Sequence, residues 1–439
     1  MNEVLLGVAL VFVIMFLVMF LGVPIGWSML VGGLVGFACM GIFNRGLYLT
    51  SYTAWSLSTS ESLICIPLYL LMGNFLLLSG MTSKLFEFAM SILSRFKVKG
   101  GLAMATVVAC AFFGAVSGSI AAAISAMGPV VMPEAEKYKY NKNFLAGTLA
   151  TAGALASLIP PSLNLIMFGI LTETSIAKLF AAGIVPGILL SIIYCIAVYF
   201  MVKRNPALAP TILAPMSWRQ TGRTALANTP IVIIILLVLG GIYLGWFTPT
   251  ESAGVGAGAV LVVALSMRKL KMKEFVNSFL DVGRIFGMIF VLLLGAFVVS
   301  GYLSTTQSIS AVAQVIAGFD LNKYTFLLLV WILYFILGCP ISSLCILVLT
   351  IPVFFPISVE LGVDPLVFGI FCNLAAEVAE VSPPIGLNIF TMQGIANDPE
   401  VTTVGMFNNI WFFIIGVHVL VILLVLFPEI ATWLPSTMN

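Results

Sequence analysis

Two short stretches set serine, asparagine and paired proline inside otherwise apolar sequence: "SLIPPSLN" (157–164) and "EVSPPIGLN" (380–388). A proline has no backbone N–H, and its ring collides with the carbonyl one turn earlier, so each pair breaks a helix. In water the freed carbonyls are satisfied by solvent; in hydrocarbon the break is costly. Such a break leaves carbonyls at one new helix end and N–H groups at the other. Carbonyls, serine hydroxyls and an asparagine amide form a hard, neutral oxygen shell that suits a cation such as sodium. The positive N-terminal end of the next half-helix suits an anion.

Two further apolar regions, 100–133 and 323–357, are divided by "SGS" (117–119) and "GCPISS" (338–343). Arms such as Gly101–Val116 and Ile120–Met132 are short for spanning a bilayer, and they read as re-entrant hairpins that enter and leave on one side. The first candidate cation-binding constellation is therefore Ser117, Gly118 and Ser119 against Pro160, Pro161, Ser162 and Asn164. The second is Gly338, Cys339, Pro340 and Ser342 against Ser382, Pro383, Gly386 and Asn388. A single break would be a kink, with Ser and Asn serving helix contacts. Four breaks paired by one offset favour function. Glu377 and Glu380, at i and i+3 before the second proline pair, are candidates for an ion or proton relay, since intramembrane charges are expensive and usually functional. Glu251, after Pro249, reads as a helix cap, and His418 as a hydrogen-bonded structural residue.

The chain that must position these groups has 439 residues, 61% hydrophobic and 8% charged. Soluble domains carry about 25% charged residues, so the composition is that of a polytopic membrane protein. Full-length spans are expected at 4–22, 24–42, 63–80, 176–201, 229–247, 249–267, 284–303 and 405–427, and broken helices at 143–173 and 366–396. The apolar start carries Glu3 and no basic group, which reads as a retained span rather than a secretory signal. The seven cysteines lie singly in apolar runs, with neither metal-type spacing nor a disulfide framework. No nucleotide-binding motif occurs, and no cofactor is called for.

Pro160 and Pro383 are 223 residues apart, and the same offset links Pro129 to Pro352 and Gly22 to Gly245. The chain is thus read as a duplication: a first repeat over 1–201, a cytoplasmic linker over 202–228 and a second repeat over 229–439. Cytoplasmic placement of the clusters 95–99, 137–142, 203–223 and 268–273, with Lys84 and Arg284, puts 16 of the 19 basic residues inside. The N-terminus is then periplasmic, and the two hairpins open from opposite sides. The fold class expected is an all-α polytopic membrane protein with an inverted repeat, two re-entrant hairpins and two broken helices, a construction common among secondary transporters. Segment 81–96 reads as an interfacial amphipathic helix, with Leu85, Phe88, Ala89, Ile92 and Phe96 on its apolar face and Lys84, Glu87, Ser91 and Arg95 on its polar one. Segment 304–319 takes its place in the second repeat.

The stretches "GAVSGSIAAAISAMGPVVMP" (114–133), "SLIPPSLNLIMFGILTETSIAKLFAAGIVPG" (157–187), "GGIYLGWFTPTES" (240–252) and "VSPPIGLNIF" (381–390) resemble the large membrane subunit of tripartite ATP-independent periplasmic (TRAP) transporters. The resemblance covers nearly the whole chain. It implies a sodium-driven elevator in the bacterial inner membrane, with a transport domain formed by 100–173 and 323–396 moving against a scaffold of the remaining spans. The substrate implied is a small organic acid such as a dicarboxylate or a sialic acid. The partners implied are a periplasmic binding protein that delivers it and a small four-helix membrane subunit that braces the scaffold; nucleic acid has no part. Carried over by motif, the first sodium site falls on Ser117, Ser119 and the 158–164 break, and the second on Gly338, Cys339, Ser342, Ser382 and Asn388. The substrate carboxylate is expected between the hairpin tips, near Ser119, Pro161, Ser343, Pro384 and Gly386. Family members often carry an acidic residue where Ser342 aligns, a phenylalanine where Pro340 aligns and a threonine at Ser382. Glu377 matches a recurrent glutamate, and Glu380 is an addition. The alternatives are a stand-alone symporter or exporter of the same superfamily, an intramembrane enzyme in which Glu377, Glu380 and His418 converge, and a channel.

Overall fold

The structure, a computed structural model, describes residues 2–267, 270–306, 322–338 and 341–438, with side-chain surroundings from Gly7 onward. Helices Asn2–Phe20, Ile25–Cys39, Phe43–Ser58, Glu61–Ser79 and Met81–Leu93 precede a first hairpin, Gly101–Ser117 and Ile120–Lys137. A broken helix follows as Lys142–Ala152, Leu155–Leu158 and Leu163–Thr172, and then the long helix Ile176–Arg204. The second half comprises Trp218–Tyr243, Pro249–Ser266, Met272–Thr305, a second hairpin (Lys323–Leu337 and Ser343–Glu360) and a second broken helix (Pro365–Val381 and Leu387–Ala396). Thr403–Phe407, Trp411–Leu426 and Glu429–Ser436 end the chain. No strand occurs among the described residues. Among the described residues seven helices, with Lys142–Thr172 taken as one, are long and apolar enough to cross a membrane, or eight if the bent pair ending at Ser436 is one span.

The 223-residue offset reappears in backbone detail. It carries Ile120–Lys137 onto Ser343–Glu360 end to end, with Pro129 and Pro133 matched by Pro352 and Pro356. Positive φ angles recur at the same spacing, at Gly22 and Gly245 and at Lys139 and Gly362, and both proline pairs contain a cis bond. Helices Ile25–Cys39 and Met272–Thr305 pack so closely that a Cβ on Gly295 would lie 2.4 Å from the Gly26 carbonyl. Small residues permit that backbone approach where no hydrophobic force drives helices together.

The structure departs from the sequence reading in five places. Phe43–Ser58 is a helix that hydropathy misses, because hydroxyl-bearing residues interrupt it; Thr50, Ser51 and Ser58 donate to carbonyls one turn back. Its counterpart in the second half is fused into the 34-residue helix Met272–Thr305. Trp218–Tyr243 starts inside the expected linker, because Ser217 and Gln220 form a capping box there. The expected span 405–427 is interrupted at 408–410, where Asn409 Nδ2 turns back to the Gly405 carbonyl at 2.8 Å. Met81–Leu93 buries Met81, Leu85, Phe86, Ala89 and also Ser91, while Phe96 is exposed. The rotation has a cause: Ser91 bonds Thr224 at 3.1 Å and the Arg95 guanidinium stacks 3.2 Å from the Trp218 ring, so helix Trp218–Tyr243 covers the polar side. Of its counterpart, 304–319, all beyond Thr306 lies outside the described residues.

Candidate functional site

The first hairpin tip meets the first break directly. Gly118 adopts φ 62°, which ends Gly101–Ser117, and its carbonyl accepts from Leu163 N at 3.3 Å. A Cβ here would lie 2.4 Å from the Pro161 carbonyl, so the tip must be glycine. Ser119 and Ser162 act as N-caps, their hydroxyls accepting from Ala122 N at 3.4 Å and Leu165 N at 3.3 Å. The Ser162 hydroxyl also donates to the Ser157 carbonyl. Pro160, Pro161 and Ser162 are buried. Ser117 is buried too, and its Oγ makes no hydrogen bond with any described residue.

Asn164, expected to serve this first constellation, turns toward the second half. Its amide donates to Ser343 Oγ at 3.2 Å and to Asn373 Oδ1 at 2.8 Å. Asn373, which the sequence reading passed over, donates in turn to the Ser157 carbonyl at 3.0 Å and to Glu377 Oε1 at 2.7 Å. The Ser157 hydroxyl donates to the same carboxylate oxygen. The Glu377 carboxylate thus belongs to the first break, although its helix belongs to the second half. Its other oxygen, Oε2, is buried without a hydrogen bond to any described residue.

Glu380 points elsewhere. Its carboxylate accepts from Ser343 N, at the start of Ser343–Glu360, and from Asn388 Nδ2 at 3.3 Å. Ser342, the N-cap residue, makes no side-chain cap, so an acidic group from the neighbouring helix serves that end. The two glutamates, expected on one face, diverge to the two breaks and do not bond each other. Gly338 packs against Ala379, and Gly386 takes φ 65° beside Phe407. The Ser382 hydroxyl bonds back to the Val378 carbonyl at 2.6 Å within its own helix. Pro384 is exposed and Pro383 half-buried, so the second break is open where the first is closed. Cys339 and Pro340 lie outside the described residues.

A path of polar contacts, carried by side chains except at the Ser343 backbone N–H that reaches Glu380, therefore runs Ser157–Glu377–Asn373–Asn164–Ser343–Glu380–Asn388, joining both breaks and the second hairpin. Glu377 and Glu380 are the only buried charged residues among those described, with no basic side chain beside them. Two uncompensated carboxylates in a low-dielectric interior call for a cation or a proton. His418 takes no part: Nδ1 lies 2.7 Å from the Ile414 carbonyl and its ring packs edge-on against Trp331. Glu251 closes a capping box with Thr248, as expected.

The chain matches the family model described as "Tripartite ATP-independent periplasmic transporter, DctM component" over residues 12–430. The chain belongs to the DctM family. Among similar DctM proteins is the C4-dicarboxylate TRAP transporter large permease of Pseudomonas aeruginosa, 34% identical over 86% of this chain and 87% of that protein. The sialic acid TRAP transporter permease SiaT of Haemophilus influenzae is 29% identical over 99% of this chain and 70% of its own length. The ectoine/5-hydroxyectoine large permease UehC of Ruegeria pomeroyi is 28% identical over 97% and 98%. The fold is similar to the YdaH transporter of Alcanivorax borkumensis, with a TM-score of 0.57 at 15% identity over 89% of this chain and 90% of that one. As a DctM component the protein is a multi-pass membrane permease of a TRAP transporter.

In this DctM chain an ion-pair clamp joins the two broken helices at one end. Lys142 bonds Asp398 at 2.7 Å and Glu400 at 2.9 Å, while Asn143 bridges the Glu400 carbonyl and Thr402 N. Lys142 and then the Glu400 N–H hold the Asp398 carboxyl below its usual range. A depressed carboxylate pKa adds stability that is present above the unfolded value, about 3.9, and lost as pH falls through the folded value. The expected outcome is a fall in melting temperature below about pH 4 that is smaller in Asp398→Asn. Parallel melting curves of the two proteins down to that pH would refute the clamp.

Proposed function

We propose that this DctM component is a sodium-coupled elevator that imports a small organic acid. The observation that carries the reading is the pair of buried carboxylates at the two breaks, with no basic side chain beside them among the described residues, together with the Ser117 hydroxyl at a hairpin tip, which bonds no described residue. Oxygens from Ser117, Gly118, Ser119, Pro160, Ser162 and Asn164 would serve one sodium ion, with Glu377 beside it. Gly338, Cys339, Ser342, Ser382, Asn388 and Glu380 would serve another. The substrate carboxylate would approach Ser119, Pro161, Ser343, Pro384 and Gly386, where helices Ile120–Lys137, Leu163–Thr172, Ser343–Glu360 and Leu387–Ala396 present their N-termini. Both hairpins and both broken helices would move as one body, 100–173 with 323–396, against the other spans.

The distribution of basic residues supports a periplasmic N-terminus in the bacterial inner membrane. A periplasmic binding protein would deliver the substrate and a small four-helix subunit would brace the scaffold. The relatives named for C4-dicarboxylates, sialic acid and ectoine support a small carboxylate-bearing solute as the substrate.

The test is the melting temperature of the purified protein, with its small subunit, across a sodium titration at ionic strength held constant by potassium or choline. A ligand that binds only the folded state adds about 2.7 kcal/mol of stability at 100 times its dissociation constant. Sodium-specific stabilisation, lost in Ser117→Ala, is expected. A flat response in the unaltered protein would exclude sodium and turn the same two carboxylates into proton carriers. Glu377→Gln and Glu380→Gln are then the variants whose pH dependence of uptake decides.

A further inference from the structure

A cavity of about 710 Å³ opens between the first hairpin and two long membrane helices. Its walls include Val108 and Phe112 of Gly101–Ser117, Ile188 and Ile196 of Ile176–Arg204, and Leu239 of Trp218–Tyr243, with Ile159 at the first break. No charged side chain among the described residues lines it. From Ile184 to Tyr199 the lined wall rises fifteen helical steps, about 22 Å at 1.5 Å per residue. That exceeds the ~15 Å of hydrocarbon in one leaflet.

One end of the trough is basic. Val98, a lining residue, sits between Lys97 and Lys99 in sequence, and Lys203 follows Tyr199 by one turn on the same helix stripe. Lys97, Lys99 and Lys203 are exposed, and none has an ion-pair partner among the described residues. Ile188, Ile192, Ile196 and Tyr199 are half exposed, on a helix long and apolar enough to span the bilayer. A dry, hydrocarbon-lined trough opening sideways from such helices takes an acyl chain rather than water. The lysine cluster at its end takes a phosphate, by the attraction that draws basic juxtamembrane segments to anionic lipid.

We propose that this trough is a binding site for one anionic phospholipid, its tail along Ile184–Tyr199 and its headgroup at Lys97, Lys99 and Lys203. The lipid lies between the first hairpin and helix Ile176–Arg204, so a displacement of the hairpin along that helix would pass over it. The site stands independently of what ion or solute the permease carries.

The test uses the full chain in nanodiscs that contain phosphatidylglycerol bearing a photoreactive group in its tail, with crosslinked peptides identified by mass spectrometry. Crosslinks are expected to concentrate on the segments around Val108–Ala115 and Ile188–Tyr199. Ile192→Trp, on a side chain already half exposed and so tolerant of change, is expected to reduce them at least tenfold. Lys97→Ala, Lys99→Ala and Lys203→Ala together are expected to reduce them about threefold, as is replacing the probe by photoreactive phosphatidylcholine. Labelling spread evenly over all lipid-facing helices and indifferent to Ile192→Trp would overturn the site. Equal labelling by the two headgroups would overturn its anionic character. Capture of a helix of the small subunit at Ile192 in place of lipid would overturn the choice of occupant.

Discussion

Gly118→Ala is expected to destabilise the protein by roughly 2–5 kcal/mol. About 1–2 of this comes from forcing a side chain into left-handed backbone and ~1–3 from overpacking. The clash is with the Pro161 carbonyl, a backbone atom that has no flexible end to move aside. Relief of the clash must separate the hairpin tip from the break and stretch the bond from Leu163 N to the Gly118 carbonyl. Uptake and ion-dependent stabilisation are expected to fall together for that reason. Gly258→Ala is the control: it lies within Pro249–Ser266 with nothing near its missing Cβ. The measurement is the apparent melting temperature of both variants beside the parent. If Gly118→Ala melts with Gly258→Ala, the tip does not rest on the break as described.

The second large effect is expected at Asn373. Replacement by leucine, similar in size and apolar, removes two donors and one acceptor from a fully buried position. It takes one of two hydrogen-bond partners from each of the Asn164 amide, the Ser157 carbonyl and Glu377 Oε1. Each lost hydrogen bond costs about 0.5–1.5 kcal/mol, and about 1.5–3 where the partner is charged. A loss of roughly 3 kcal/mol or more follows. The informative quantity is the coupling with Asn164→Ala, because residues in one hydrogen-bond network give non-additive losses of about 0.5–3 kcal/mol. Simple additivity in a double-mutant cycle would mean that the two amides act separately, and the path between the breaks would lose its middle.

Much of the architecture was legible because proline and glycine act locally. The double prolines, "SGS" and the 223-residue spacing depend on backbone rules that hold whatever surrounds them, and the breaks fall there. Ile120 as the start of a hairpin arm was equally plain, since Ser119 caps it. Side-chain partnership across the molecule was not legible. Asn164 reads as a neighbour of its own proline pair, yet it bonds a helix about two hundred residues away. Glu377 and Glu380 share a helix face, and helical periodicity says nothing of the different elements packed along it. Asn373 did carry a signal, an amide four residues before Glu377 in an apolar helix, where unpaired polarity is expensive. Phe43–Ser58 escaped because hydroxyls that bond their own backbone depress hydropathy without disturbing the helix.

The crossing of Glu377 into the first break has a consequence for descent. Asn164 and Asn373 bond each other, but the repeat does not relate them: Asn164 has its counterpart in Asn388, each the second residue of a ten-residue helix after its proline pair, and Asn373 has its counterpart in Ala150. Ala150 carries no amide, so the bond has no mirror image in the other half. A change in one half meets selection through the other, so the halves accept mutations as one sequence and cannot diverge independently.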